Sequence, residues 1–165
     1  MTTTSSTSSG GGVTRRSIAK RIAAGLLVPS LALASVTGAA ASDGRSIAKL
    51  AAKYEGLPYV WAGGSPKQGF DCSGLTQYVV RKVTGLDITH SVELQWNYGS
   101  WVDYGKWKPG DLIFFQNTYK KGLSHVGIFL GRDRFVHAEN EQTGVIVTDI
   151  HSAYYAERYA GARRI

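Results

Sequence analysis

SHVGIFLGRDRFVHAE, residues 124–139, carries two histidines, His125 and His137, on either side of Gly131-Arg132-Asp133. The stretch reads as a β-hairpin closing on that three-residue loop. Leu130 then opposes Arg134, Phe129 opposes Phe135, Ile128 opposes Val136 and Val126 opposes Ala138, so one face is apolar. On the other face His137 lies opposite Gly127, with His125 on the diagonal. Diagonal neighbours are ~7–8 Å apart along their backbones, within reach of two rings, and Gly127 leaves the space between them open. The hydrophobic pattern therefore puts both histidines on one face.

Further strands flank this hairpin at 111–115, 145–149 and 159–165, whereas the segments before Trp101 have helical periodicity. Residues 45–54 place Ile47, Leu50, Ala51 and Tyr54 on one helical face, and Gly56 ends it. A second helix is expected over 72–83, burying Leu75, Val79 and Val83, and a short one over 91–97. Between the first two lies a Gly- and Pro-rich loop, 56–70, of the kind that presents side chains to ligands. Helices first and antiparallel strands later indicate an α+β domain.

Cys72 is the only cysteine of the chain. That excludes an intrachain disulfide and a cysteine-based metal site. If Asp71 caps the second helix, Cys72 is its first residue. The positive end of the helix dipole then favours thiolate over thiol, while Asp71 opposes it, so a nearby cation must complete the activation. Gly74 leaves room for something to approach the helix closely. A cysteine, an imidazole and a polar group orienting that imidazole make a nucleophile. Cys72, His125 and His137 supply the three. His90 and His151 lack such a context and read as surface residues. Two histidines could also bind a metal with Glu139 as third ligand, but no metal is expected.

Arg15, Arg16, Lys20 and Arg21 precede the apolar run Ile22–Val36 and the small residues Ala39-Ala40-Ala41. This is the order of a secretory signal, with residues 1–13 a disordered Ser/Thr/Gly-rich leader. The run is broken by Gly25, Pro29 and Ser30 and falls short of the ~20 apolar residues of a membrane span. Thr14-Arg15-Arg16-Ser17-Ile18-Ala19-Lys20 also resembles a twin-arginine motif, so both export routes stay open. Residues 1–41 are thus expected to be removed, leaving one domain, 42–165. Four of the 19 basic and none of the 12 acidic residues lie before Ser42, which reduces the net charge from +7 to +3. No basic run marks a nucleic-acid partner, and the mature chain is expected to be a monomer without stable membrane insertion.

FDCSGL, PGDLIFF (109–115), SHVGIFLG and FVHA, in this order, resemble the signature blocks of the NlpC/P60 cysteine peptidases. PYVWAGG at 58–64 is similar to the segment that precedes the cysteine in that family, with Ala62 where glycine is usual. The resemblance spans roughly 45–165. It implies a papain-like α+β fold, with the cysteine helix packed on the sheet that carries the histidines. It also implies a secreted enzyme of the cell wall or periplasm that hydrolyses peptidoglycan stem peptides without a cofactor, most often between D-γ-glutamate and the diamino acid. By position Cys72 would be the nucleophile, His125 the base and His137 the orienting residue. Tyr59, Asp71 and Ser73 would lie around the substrate. An N-acetylmuramoyl-L-alanine amidase, a thiol acyltransferase and a non-catalytic wall-binding module are the competing readings.

Overall fold

The computed structural model describes residues 37–165, with side chains from Asp43 onward. The basic block, the apolar run and the disordered leader expected before Thr37 lie outside the described residues. Helix α1, Thr37–Ala52, runs through the expected cleavage position between Ala41 and Ser42 and buries Ile47, Ala48 and Ala51. It ends two residues short of expectation, and Tyr54 lies in the turn that follows. Helix α2, Cys72–Thr84, begins at its Asp71 cap and stops where Gly85 takes φ +78°, its N–H reaching the Arg81 carbonyl. Leu75, Val79 and Val80 are its buried face; Val83, expected there, is only half-buried. Helix α3 is a single turn, Val92–Gln95, capped by Ser91.

The 56–70 segment is more than a connection. Strands β1 (Gly64–Ser65) and β2 (Gly69–Phe70) pair within it, and Tyr59 bridges to Phe70. The main sheet comprises β3 (Ser100–Val102), β4 (Leu112–Gln116), β5 (Leu123–Gly131), β6 (Arg134–Asn140), β7 (Gly144–Asp149) and β8 (Tyr159–Arg164). Its order is β3-β8-β4-β5-β6-β7, antiparallel throughout. Before β8 comes α4, Ala153–Arg158, which the sequence reading left out. The result is the expected α+β arrangement.

Both faces of the sheet are covered, which explains the unbroken apolar run of β4. Leu112 and Phe114 join Val126, Ile128, Val136 and Ala138 under α1 and α2; Ile113 and Phe115 join Phe129, Phe135, Ala162 and Tyr155 of α4 on the reverse. Alternation at period 2 sorts the residues between two cores. Asp111, buried before β4, accepts two hydrogen bonds from the Arg164 guanidinium at 2.7 and 2.6 Å, which ties β8 to the sheet.

The β5–β6 hairpin keeps the expected pairs Ile128–Val136 and Phe129–Phe135, but its turn differs. Gly131, not Leu130, pairs with Arg134, and Leu130 is an extra residue in the ladder. The loop is therefore Arg132-Asp133 alone, with φ of 52° and 58°. Two successive left-handed residues form a turn whose twist matches that of the strands, and this outweighs the strain on non-glycine residues. The other end of β5 is irregular too, with a bulge in its pairing with β4 at Phe115/Gln116. Bulges re-aim side chains at sheet ends, and this one flanks His125.

Candidate active site

At the start of α2, Asp71 acts as a hub. Its Oδ1 accepts hydrogen bonds from the Gly74 N–H (2.7 Å) and the Ser73 hydroxyl (3.1 Å) and meets Nε2 of His90 at 2.7 Å. Its Oδ2 accepts the Ala62 N–H at 3.0 Å. The carboxylate thus caps the helix and also gathers three segments that are far apart in sequence. Ala62 makes its bond from a left-handed backbone, φ 58°. That geometry costs an alanine roughly 1 kcal/mol more than it would cost glycine, so this departure from the usual residue is not free.

His90 is exposed, as expected, but it also lines a cavity with Cys72 and bonds Asp71. It could approach because residue 74 is glycine. A Cβ there would lie 2.1 Å from the Gly63 carbonyl and 2.7 Å from His90 Nε2. Buried Gln95 fixes the segment from behind, donating to the Ser73 and Thr89 carbonyls and accepting from the Thr76 hydroxyl. His151, as expected, stays at the surface beside Asp133.

The second component comes from the sheet. His125 Nε2 and His137 Nδ1 are 2.8 Å apart, and His137 Nε2 lies 2.9 Å from the Thr148 hydroxyl. His137 stacks on Phe135 with ring centres 4.5 Å apart, and Tyr155 packs edge-on against it. Gly127 serves this packing, though not by leaving open space. A Cβ there would meet the Phe135 ring at 2.7 Å and His137 Cβ at 3.1 Å. Among the described residues no group of three or more His, Cys, Asp or Glu side chains is placed to hold a metal ion.

The imidazoles belong to the reverse face of the sheet, against Phe115, Phe135 and Tyr155, whereas α2 covers the front. Backbone hydrogen bonds from Val126, Ser73 and Cys72 itself act on the thiol, and Val126 directly follows His125. With Nε2 of His125 engaged by His137, Nδ1 is the nitrogen that remains for another partner. If His125 Nε2 donates to His137 Nδ1, then His137 Nε2–H donates to Thr148 and His125 Nδ1 is an acceptor, as a base requires.

Burial depresses both histidines. His125 is lowered to about 4, the charge of Asp71 opposing the shift only in part. His137 is held well below its ordinary value by burial and then by His125. Because their folded pKa values lie below those of the unfolded chain, the unfolded state takes up protons first as pH falls. For His125 that stabilisation is complete above about pH 6.5 and is lost towards pH 4, about 3 kcal/mol. Urea midpoints at pH 7 and pH 4.5 should differ by much less in His125→Gln than in the wild type. Equal pH sensitivity in the two proteins would rule out His125 as its source.

The thiol also departs from the sequence expectation. Burial and then the negative charge of Asp71 push Cys72 up to about 12, against the lowering effect of its backbone hydrogen bonds. The helix terminus does not overcome the loss of water, so burial favours the neutral form of both the thiol and the His125 imidazole. Iodoacetamide should label folded Cys72 slowly at pH 7, with the rate rising about tenfold per pH unit up to pH 9. A rate already level from pH 6 would demonstrate a preformed thiolate instead.

Two cavities of about 360 Å³ each flank this centre. One is lined by Cys72 with Tyr59, Trp61, Asp71, Ser73 and His90. The other is lined by His125 with Thr118, Glu139, Asn140, Tyr154 and Tyr155. Tyr119 belongs to both, on a loop held by the Thr118–Ser124 hydrogen bonds. Tyr59, Asp71, Cys72 and Ser73 thus line the first cavity, His125 lines the second, and His137 bonds His125. His90, Gln95, Thr148 and Glu139 acquire their places only through long-range packing. A short-range sequence signal existed for Thr148 alone, as the alternate-face residue of β7.

A family model described as the NlpC/P60 family matches residues 56–164. The gamma-DL-glutamyl hydrolase of Bacillus subtilis is 43% identical over 114 residues, 69% of this chain and 27% of that protein. The bifunctional muramidase/DL-endopeptidase CwlT of the same organism is 35% identical over 121 residues, 73% of this chain and 36% of that protein. The matched region thus spans only about a quarter to a third of these relatives' length. A crystal structure of the NlpC/p60 domain of the peptidoglycan hydrolase SagA aligns over 74% of this chain and 98% of that domain. The TM-score is 0.65 and the identity 37%.

Proposed function

Because this chain belongs to the NlpC/P60 family, we propose that it is a cysteine endopeptidase that hydrolyses peptidoglycan stem peptides between D-γ-glutamate and the diamino acid. One observation carries the reading: a helix-start cysteine lines one cavity, His125 of a sheet-borne His125–His137–Thr148 chain lines a second, and Tyr119 lines both. Relatives named a gamma-DL-glutamyl hydrolase, a DL-endopeptidase and a gamma-D-glutamyl-L-lysine dipeptidyl-peptidase support the choice of bond. Tyr59, Asp71 and Ser73 would edge the acyl side of the substrate, with Asp71 shaping the wall through its four hydrogen bonds.

The chemistry starts from the neutral pair. As the substrate excludes water, the Cys72 proton passes to His125 Nδ1 and the sulfur adds to the γ-carbonyl carbon. The oxyanion so formed is stabilised by the backbone N–H of Cys72 at the helix start. The C–N bond then breaks, and His125 returns the proton to the departing amine. Water, deprotonated by His125, cleaves the thioester and regenerates the thiol with release of a γ-carboxylate. His137 keeps the ring of His125 in the productive tautomer throughout.

The active form in this proposal is exported and consists of residues 42–165, which retain the α1 residues Ile47, Ala48 and Ala51 in the core. N-terminal sequencing of protein recovered outside the cytoplasm should start near Ser42, and a full-length chain in the membrane fraction would defeat this part. The activity itself is tested by mass spectrometry of digested muropeptides. Products ending in D-γ-glutamate are expected, whereas free lactyl-muramic acid would show an amidase.

A further inference from the structure

We propose that the cavity on the His125 side receives the leaving group, and that Glu139 there selects a residue bearing a side-chain ammonium. The inference rests on the hydrolase reading above and deepens it. Its first element is the division of labour between the two cavities. Cys72 lines one and His125 the other, and neither residue lines both. The acyl group stays bonded to the sulfur after the first step, so it occupies the Cys72 cavity. The departing amine takes its proton from His125, so it leaves through the His125 cavity.

The second element is charge. Glu139 is a half-buried carboxylate lining that second cavity. Its Oε1 accepts from the Tyr155 hydroxyl at 3.2 Å, and its Oε2 accepts from the Thr143 hydroxyl at 2.7 Å and the Asn140 amide at 3.3 Å. These neutral donors orient the carboxylate without neutralising it. Among the described residues no lysine, arginine or histidine forms an ion pair with Glu139. On the acyl side, by contrast, Glu93 is paired with Lys120 and Asp71 with His90. The leaving-group side therefore offers a cationic group on the substrate a carboxylate that forms no ion pair among the described residues. Tyr154 and Tyr155 line the same cavity and offer apolar surface to the methylenes between backbone and ammonium.

Lysine and meso-diaminopimelate both end in such an ammonium, and peptides distinguish the chemistry from its source. L-Ala-D-γ-Glu-X peptides with X as lysine, meso-diaminopimelate or norleucine are compared by kcat/KM. The wild type should prefer both ammonium-bearing residues to norleucine by about tenfold, as one charge-assisted hydrogen bond would give. Glu139→Gln should bring that ratio close to one. Glu139→Lys, a second variant in case the first is poorly folded, should shift preference towards 2-aminoadipate. A wild type indifferent to norleucine, or a Glu139→Gln protein that loses all substrates in equal proportion, overturns the inference while hydrolysis stands. Cleavage of no peptide and no muropeptide overturns the hydrolase reading and the inference with it.

Discussion

Peptidoglycan incubated with the Cys72→Ala protein should give the muropeptide pattern of the untreated wall, a loss of at least about 10⁴-fold relative to the wild type. No other thiol exists in the chain to substitute for it. Backbone N–H groups and the cavities remain in the variant, but without sulfur no acyl-enzyme can form. The substitution removes one small side chain at the helix start, so thermal unfolding should stay within a few degrees of the wild type. Intact folding and absent turnover together distinguish a reagent from a core residue. Continued release of D-γ-glutamate by a folded Cys72→Ala protein would refute the nucleophile assignment outright.

Substitution of His137 should produce the second-largest effect and a graded one. His137→Ala leaves His125 Nε2 without a partner and opens a void against Phe135 and Tyr155. A fall in kcat of about 10²–10³-fold is expected, together with lower stability. His137→Gln presents an amide oxygen to His125 and should recover at least about tenfold of that loss, with KM little changed. Thr148→Val touches only the far nitrogen of His137 and should cost less, about tenfold. Equal rates in the Ala and Gln variants, once both are shown to be folded, would mean that orientation of His125 is not its role. Failure of both His137 variants to fold would make His137 chiefly structural.

The two effects differ in how far each was visible in sequence. Cys72 declares itself by being the only cysteine and by its place between Asp71 and Ser73. The two histidines follow from a local pattern, because alternation in β5 and β6 sorts residues between faces without knowledge of the rest of the chain. Even there the turn was misread by one residue: Gly131 pairs in the ladder, and Leu130 becomes the bulge. Periodicity records which residues are apolar, whereas the left-handed pair Arg132-Asp133 is selected by strand twist. Helix α4 escaped notice because six residues with only Tyr155 buried provide too short a pattern.

Sequence by itself thus determined the α+β class, the placing of helices before an antiparallel sheet, and which thiol and imidazoles are proposed as the site. Each depends on short-range periodicity or on a residue type whose chemistry is independent of context. Tertiary structure alone decided the protonation state, since the drive towards thiolate at a helix start is local but the water lost around Cys72 is not. It alone brought His90 to Asp71 across Gly74, closed the chain on Thr148, and left Glu139 without an ion-pair partner among the described residues. Those relations are distances between segments that no spacing along the chain encodes.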